Sequence, residues 1–126
     1  MNAIREKILE IESLLKRGRE GCLDFYELSK YELNKTYLIE NEIVLQKIDQ
    51  TGSKIRFIAT LPPGAEFKAH CHNCLEVCTV LSGQIFDPVK RLKIAAGGVL
   101  IFERGEHHEP KNLSKYPATL LIDFYK

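Results

Sequence analysis

The stretch Gly64–Glu76 reads Gly-Ala-Glu-Phe-Lys-Ala-His-Cys-His-Asn-Cys-Leu-Glu, and Gly83 closes the β-rich run that follows it. One residue separates His70 from His72, so on an extended strand both side chains leave the same face. Asn73 and Cys74 break the run, and Glu76 stands where a second strand can begin. Three ligand-type side chains can therefore converge from two neighbouring strands. Imidazole nitrogens with one carboxylate oxygen suit a divalent transition metal: Fe, Mn, Ni, Co or Zn.

A second glycine-bracketed segment holds Gly97, Gly105, His108 and Asn112. Together the two segments resemble the paired motifs of the cupin family. The first motif runs Gly, five residues, His-x-His, three residues, Glu, six residues, Gly. Gly64, His70, His72, Glu76 and Gly83 fill every fixed position. The second runs Gly, five residues, Pro-x-Gly, two residues, His, three residues, Asn. Gly97, Gly105, His108 and Asn112 match it, while Glu103 stands in the proline position. That departure touches the rigidity of a turn and removes no ligand.

The resemblance covers under half of the chain and implies an all-β fold, a small double-stranded β-helix or jelly-roll barrel. In such a barrel the strand carrying His108 lies beside the first-motif strands, and His108 supplies a fourth protein ligand. Three imidazoles and one carboxylate on an octahedral ion leave two positions open for water, dioxygen or a bidentate substrate. The resemblance also implies a homodimer. His107 alternates to the opposite face, which makes it exposed and not a ligand. Glu103, Glu106 and Glu109 around the same turn read as solvated surface.

The rest of the text agrees with an all-β reading. Ile43–Leu45 and Ile55–Ala59 flank the turn Gln50-Thr51-Gly52, and Pro62-Pro63-Gly64 stops the second strand. Glu76–Leu81, Leu92–Ile94, Val99–Phe102 and Ala118–Tyr125 read as further strands. Many short strands with turn residues between them indicate a sandwich or barrel. Residues 3–17 read as an N-terminal α-helix, with Asn2 as N-cap, an apolar stripe at Ile4, Ile8, Ile11 and Leu15, and Gly18 and Gly21 ending it. The expected organisation is a helix and connecting segment over 1–35 and a barrel over 36–126.

Composition narrows the partners. Lysine and arginine number 18 against 17 acidic residues, so no electrostatic case exists for nucleic acid or an anionic membrane. No apolar run approaches the roughly 20 residues that span a bilayer. Charges at Arg5, Glu6, Lys7 and Glu10 replace the apolar stretch of a signal peptide, so a cytoplasmic location is expected. On that ground Cys22, Cys71, Cys74 and Cys78 are expected as free thiols, with Cys71 turned away from the histidines. Cys78 shares the face of Glu76 and reads as a small buried apolar residue or as pocket wall.

Phe57, Phe67, Phe102 and Phe124 are candidates to close the interior, and Arg56 and Lys68 read as exposed. An apolar interior with a few ligand groups suits a small molecule that chelates through two oxygens. Three functions stay open on these grounds. The leading one is a metal-binding protein acting as a dioxygenase-like or isomerase-like enzyme on a small molecule. The alternative is a non-catalytic module that binds or senses a metal or small ligand. A structural barrel that dimerises is the third.

Overall fold

The computed structural model describes residues 23–126. The helix expected over 3–17 lies outside them. Helix α1 (Phe25–Ser29) opens the described chain, and the strands follow: β1 (Thr36–Leu38), β2 (Val44–Gln50), β3 (Lys54–Leu61), β4 (Leu75–Ser82), β5 (Gln84–Asp87), β6 (Leu92–Ala95), β7 (Val99–Phe102) and β8 (Ala118–Tyr125). A one-turn 3-10 helix, Glu40–Glu42, joins β1 to β2. Helix α1 falls within the segment that sequence reasoning left as a connection. Asp24 caps it: its side chain accepts the Glu27 N–H at 2.8 Å.

Six strands form one sheet in the order β1-β2-β3-β8-β4-β7, and β5 and β6 form a second, two-stranded sheet. Pairing within both sheets is antiparallel. The β2–β3 hairpin turns at Thr51, whose N–H donates to the Lys54 carbonyl at 2.8 Å and whose hydroxyl accepts the Lys54 N–H. Alternation is strict on β3: Ile55, Phe57, Ala59 and Leu61 are buried, and the residues between them are half-exposed. On β8, Ala118, Leu120, Ile122 and Phe124 face the same core. This period of two is the sequence signal that made the strands readable.

The opposite wall of the barrel is built less regularly. Residues 62–73 and 103–113 form no ladder and carry turns at 63–64 and 104–105, and single bridges tie them down: Glu66 with Lys111, His70 with His108, and Phe86 with Lys111. Two devices fix these segments. Asn112 is fully buried, and its side-chain amide donates to the carbonyls of Leu61, Pro62 and Tyr116 while its oxygen accepts from Ser114. Gly83, between β4 and β5, has φ of 75°, and a Cβ there would stand 2.6 Å from the Pro117 carbonyl oxygen.

Gly83→Ala therefore meets both a left-handed backbone and a backbone clash. The expected destabilisation is about 2 kcal/mol or more. Urea denaturation of wild type and variant checks it, and equal midpoints would refute this account of the turn.

Candidate metal centre

Glu76 is placed by register. It pairs with Phe102 on β7 and Phe124 on β8, on the inner face of the large sheet. His70 and His72 come from the extended segment just before β4. His70 exchanges two backbone hydrogen bonds with His108, at 3.1 and 2.9 Å. His72 forms a parallel bridge with Leu23. The two histidines thus share an inward face, as their spacing predicts, although single bridges and not a ladder hold them. The Gly105 N–H donates to the His72 carbonyl at 2.8 Å and ties the second motif to the first.

Glu103, in the position where the family pattern has proline, keeps its N–H. The Glu106 carboxylate accepts that N–H at 2.8 Å, and Lys90 pairs with Glu106 at 2.7 Å. A side-chain contact therefore does the stiffening that a proline ring would supply. Glu106 also meets the histidine cluster through its backbone carbonyl, which lies 3.1 Å from His108 Nδ1.

The potential ligand atoms of His70, His72 and His108 all lie within 4.8 Å of one another. Glu76 Oε1 lies 3.4 Å from His72 Nε2 and 3.2 Å from His108 Nε2. All four residues are buried, between 1% and 6% exposed. His107 is exposed, as alternation requires. Aromatic rings close round the cluster: Phe102 stacks on His108 at 4.1 Å, and Phe124 lies 4.7 Å from His72. Phe67 lies 6.0 Å from His70.

The second ring nitrogens fix the chemistry of the first. His70 Nδ1 is hydrogen-bonded to the Lys68 carbonyl, and His108 Nδ1 to the Glu106 carbonyl at 3.1 Å. A carbonyl only accepts, so each Nδ1 carries the proton, and in the neutral ring Nε2 presents a lone pair. His108 Nε2 is buried with no hydrogen-bond partner among the described residues, yet faces the Glu76 carboxylate. Two acceptors 3.2 Å apart in an apolar interior require a cation between or beside them, either a proton or a metal ion. Three imidazoles and a carboxylate are also a donor set that holds Fe, Mn, Ni, Co or Zn.

Burial, with nearby His108, pushes the His70 pKa down to about 4. Burial, with His70 and His108 beside it, holds His72 well below the ordinary range. His108 is depressed by burial too, but the Glu76 charge and contact and the Glu106 carbonyl outweigh that and raise it. His70 and His72 are thus neutral at physiological pH, the form that ligates metal.

The cluster opens onto a cavity of about 620 Å³, mouth included. Its described lining includes Phe57, Phe67 and Phe124, as expected from sequence, and Cys78. Burial and Glu76 hold the Cys78 thiol protonated. Leu23, Leu28 and Tyr31 also line it, so residues outside the 36–126 span complete the wall. Only their hydrophobic character in the sequence hinted at this. Arg56 points outward and pairs with Asp123 through two hydrogen bonds of 2.7 and 3.0 Å, and Lys68 is exposed.

One expectation is corrected. Cys74 and Cys78 are free, but Cys71 is held in a disulfide whose other half lies outside the described residues. Cys71 does stay out of the cavity lining. Its segment is covered by the strand-like stretch at Leu23, whose N–H donates to the Cys71 carbonyl at 3.1 Å. That long-range docking was invisible to local alternation.

In metal-free protein, the unfolded chain protonates His70 as pH falls below about 6.5, whereas the folded chain resists until about 4. Stability therefore falls across that window, by on the order of 3 kcal/mol from His70. His108 works in the opposite sense, because its raised pKa favours the folded state at low pH. Urea denaturation at pH 7 and 4.5 should show the loss, and His70→Leu should reduce the pH slope. An unchanged slope in the variant would refute the assignment.

The family model described as a cupin domain matches residues 57–124, just over half of the chain. No curated protein matches in sequence. Among solved structures, an RmlC-like cupin from Shewanella frigidimarina has a TM-score of 0.65 at 17% identity, covering 73% of this chain and 83% of its own. KdgF from Halomonas sp. gives 0.65 at 13% identity, over 73% and 86%. A chain of the Rhodobacter sphaeroides complex of SigE with the anti-sigma ChrR gives 0.65 at 19%, over 77% and 53%, so this chain spans about half of that one. At these identities the likeness shows the fold.

Proposed function

This chain belongs to the cupin family, and we propose that it is a divalent-metal-binding cupin acting as an enzyme on a small molecule. The ligands in this reading are His70, His72, Glu76 and His108. The observation that carries it is the buried contact between His108 Nε2 and the Glu76 carboxylate at 3.2 Å, beside His70 and His72. A bound transition metal would supply Lewis-acid chemistry and a template with two open positions, and iron would add dioxygen chemistry. Dioxygenase-like and isomerase-like reactions both fit that supply.

The chain's own residues do the rest. The Lys68 and Glu106 carbonyls orient two imidazoles, and Phe67, Phe102 and Phe124 crowd the rings and keep water from their flanks. The apolar wall holds the body of the substrate.

One observation favours the second reading, a non-catalytic module that binds a metal or small ligand. Beyond the four ligands, the described lining offers only Tyr31 and the protonated Cys78 thiol for proton transfer. Oxygen uptake or substrate loss with iron-loaded protein separates the two.

The same proposal includes a homodimer, a cytoplasmic location, and no nucleic-acid or membrane partner. Val99 and Ile101 are about half exposed on β7, which is an edge strand of the large sheet, and Leu81 is exposed at the end of β4. A second copy would cover that face. Among the described residues no helix is long and apolar enough to cross a membrane, and the net charge is +1. The Cys71 disulfide pulls against the cytoplasm, since such bonds persist chiefly in oxidising compartments.

Elemental analysis of purified wild type should give about one transition-metal ion per chain. His72→Ala and His108→Ala should lose it, and His107→Ala should keep it. Equal metal in all four proteins would overturn the site. Sedimentation at micromolar concentration should give a dimer, and Ile101→Asp should shift it toward monomer. A wild-type monomer would overturn the dimer.

A further inference from the structure

The cavity restricts the charge of what it admits as well as its size. We infer that its ligand is an apolar small molecule held through a bidentate oxygen head of single negative charge, as in a 2-oxo acid with a hydrophobic side chain. This rests on the metal reading above and names the substrate class for it.

Away from the four ligand residues the described wall is hydrocarbon apart from Tyr31 and the Cys78 thiol, with Leu28, Ile39, Leu45, Phe57 and Leu120 among its members. No arginine or lysine is found in the described lining. The basic residues nearby are committed elsewhere. Arg56 pairs with Asp123 on the outer face. Lys47 is buried, but it donates to the Ser29 carbonyl at 3.0 Å and to the Gln50 side chain, outside the cavity.

Charge therefore decides the head group. A divalent ion with one carboxylate ligand carries a net charge of +1, which a monoanionic chelate neutralises. A dianion would leave an unpaired negative charge in an apolar cavity whose described lining holds no lysine or arginine to meet it, and such a charge is strongly disfavoured. Asp87 pushes the same way. It is fully buried behind the cluster, its oxygens accept the N–H groups of Lys90 and Glu109, and its charge acts on His70 and His108. The hydrocarbon wall then sets the body: a branched or aromatic group gains by leaving water, and a phosphorylated or polyhydroxy body loses hydrogen bonds there without replacement.

The test uses the full chain loaded with Co²⁺, whose visible spectrum reports a change at the ion. Pyruvate, 2-oxobutanoate, 2-oxopentanoate, 4-methyl-2-oxopentanoate and oxalate are titrated in turn. Affinity should rise about fourfold for each added methylene. Oxalate should bind at least tenfold more weakly than 4-methyl-2-oxopentanoate, with cobalt retained on desalting. Leu45→Lys, which sets a cation in the wall, should reverse that order. If cobalt does not load, the metal reading falls and this inference with it. If cobalt loads and oxalate binds as tightly as the branched acid, or affinity ignores chain length, this inference alone is overturned.

Discussion

The structure depends on one contact: a buried carboxylate set against imidazole rings whose Nδ1 protons are already spent on backbone carbonyls. Backbone carbonyls consume the Nδ1–H of His70 and of His108, so lone pairs point at the same space as Glu76. In water such a cluster would disperse. Here the backbone holds it in a barrel interior where desolvation makes every unpaired charge expensive. A cation of the right size would remove the conflict among these four polar side chains, which sit beside the buried Phe57, Phe102, Phe124 and Leu120.

Keeping the cluster together demands precision from two kinds of scaffold. Glu76 is fixed by a ladder, with Phe102 and Phe124 as cross-strand neighbours. The histidines have no ladder. Their segments are held by paired bonds between His70 and His108, by Gly105 on the His72 carbonyl, and by the Asn112 amide bolted to three carbonyls. The motif asparagine is thus a fastener for the loop that delivers His108. Gly105, with φ of 76°, lets its N–H reach back to the first motif.

Legibility in the sequence followed the range of the interaction. Strand alternation is local, so β3, β4, β7 and β8 could be read, along with the inward pair at His70 and His72 and the outward His107. The shared face of Glu76 and Cys78 could be read for the same reason. The family resemblance, and not the spacing alone, brought His108 to the site. Contacts between distant segments left no local trace. The wall at Leu23, Leu28 and Tyr31, the cap at Asp24 and the buried Asp87 all depend on where a remote stretch docks. The Cys71 disulfide was misjudged for this reason too: strand alternation says which way Cys71 points and carries no signal of a bond to a distant residue.

The three histidines are not equivalent, and the difference lies in what holds each ring. His70 and His108 are each pinned at Nδ1 by a carbonyl two residues earlier in the chain, so their rings keep their aim with or without an ion. His72 Nδ1 is buried without a hydrogen-bond partner among the described residues, and its ring rests against Phe124. Packing restrains a ring less sharply than a hydrogen bond does. On the ligand reading, His72 is then the residue that gains most order when a cation arrives. Its neighbours Phe124 and Leu23 belong to the cavity wall, so on that reading occupancy of the metal position would be coupled to the shape of the cavity through this ring.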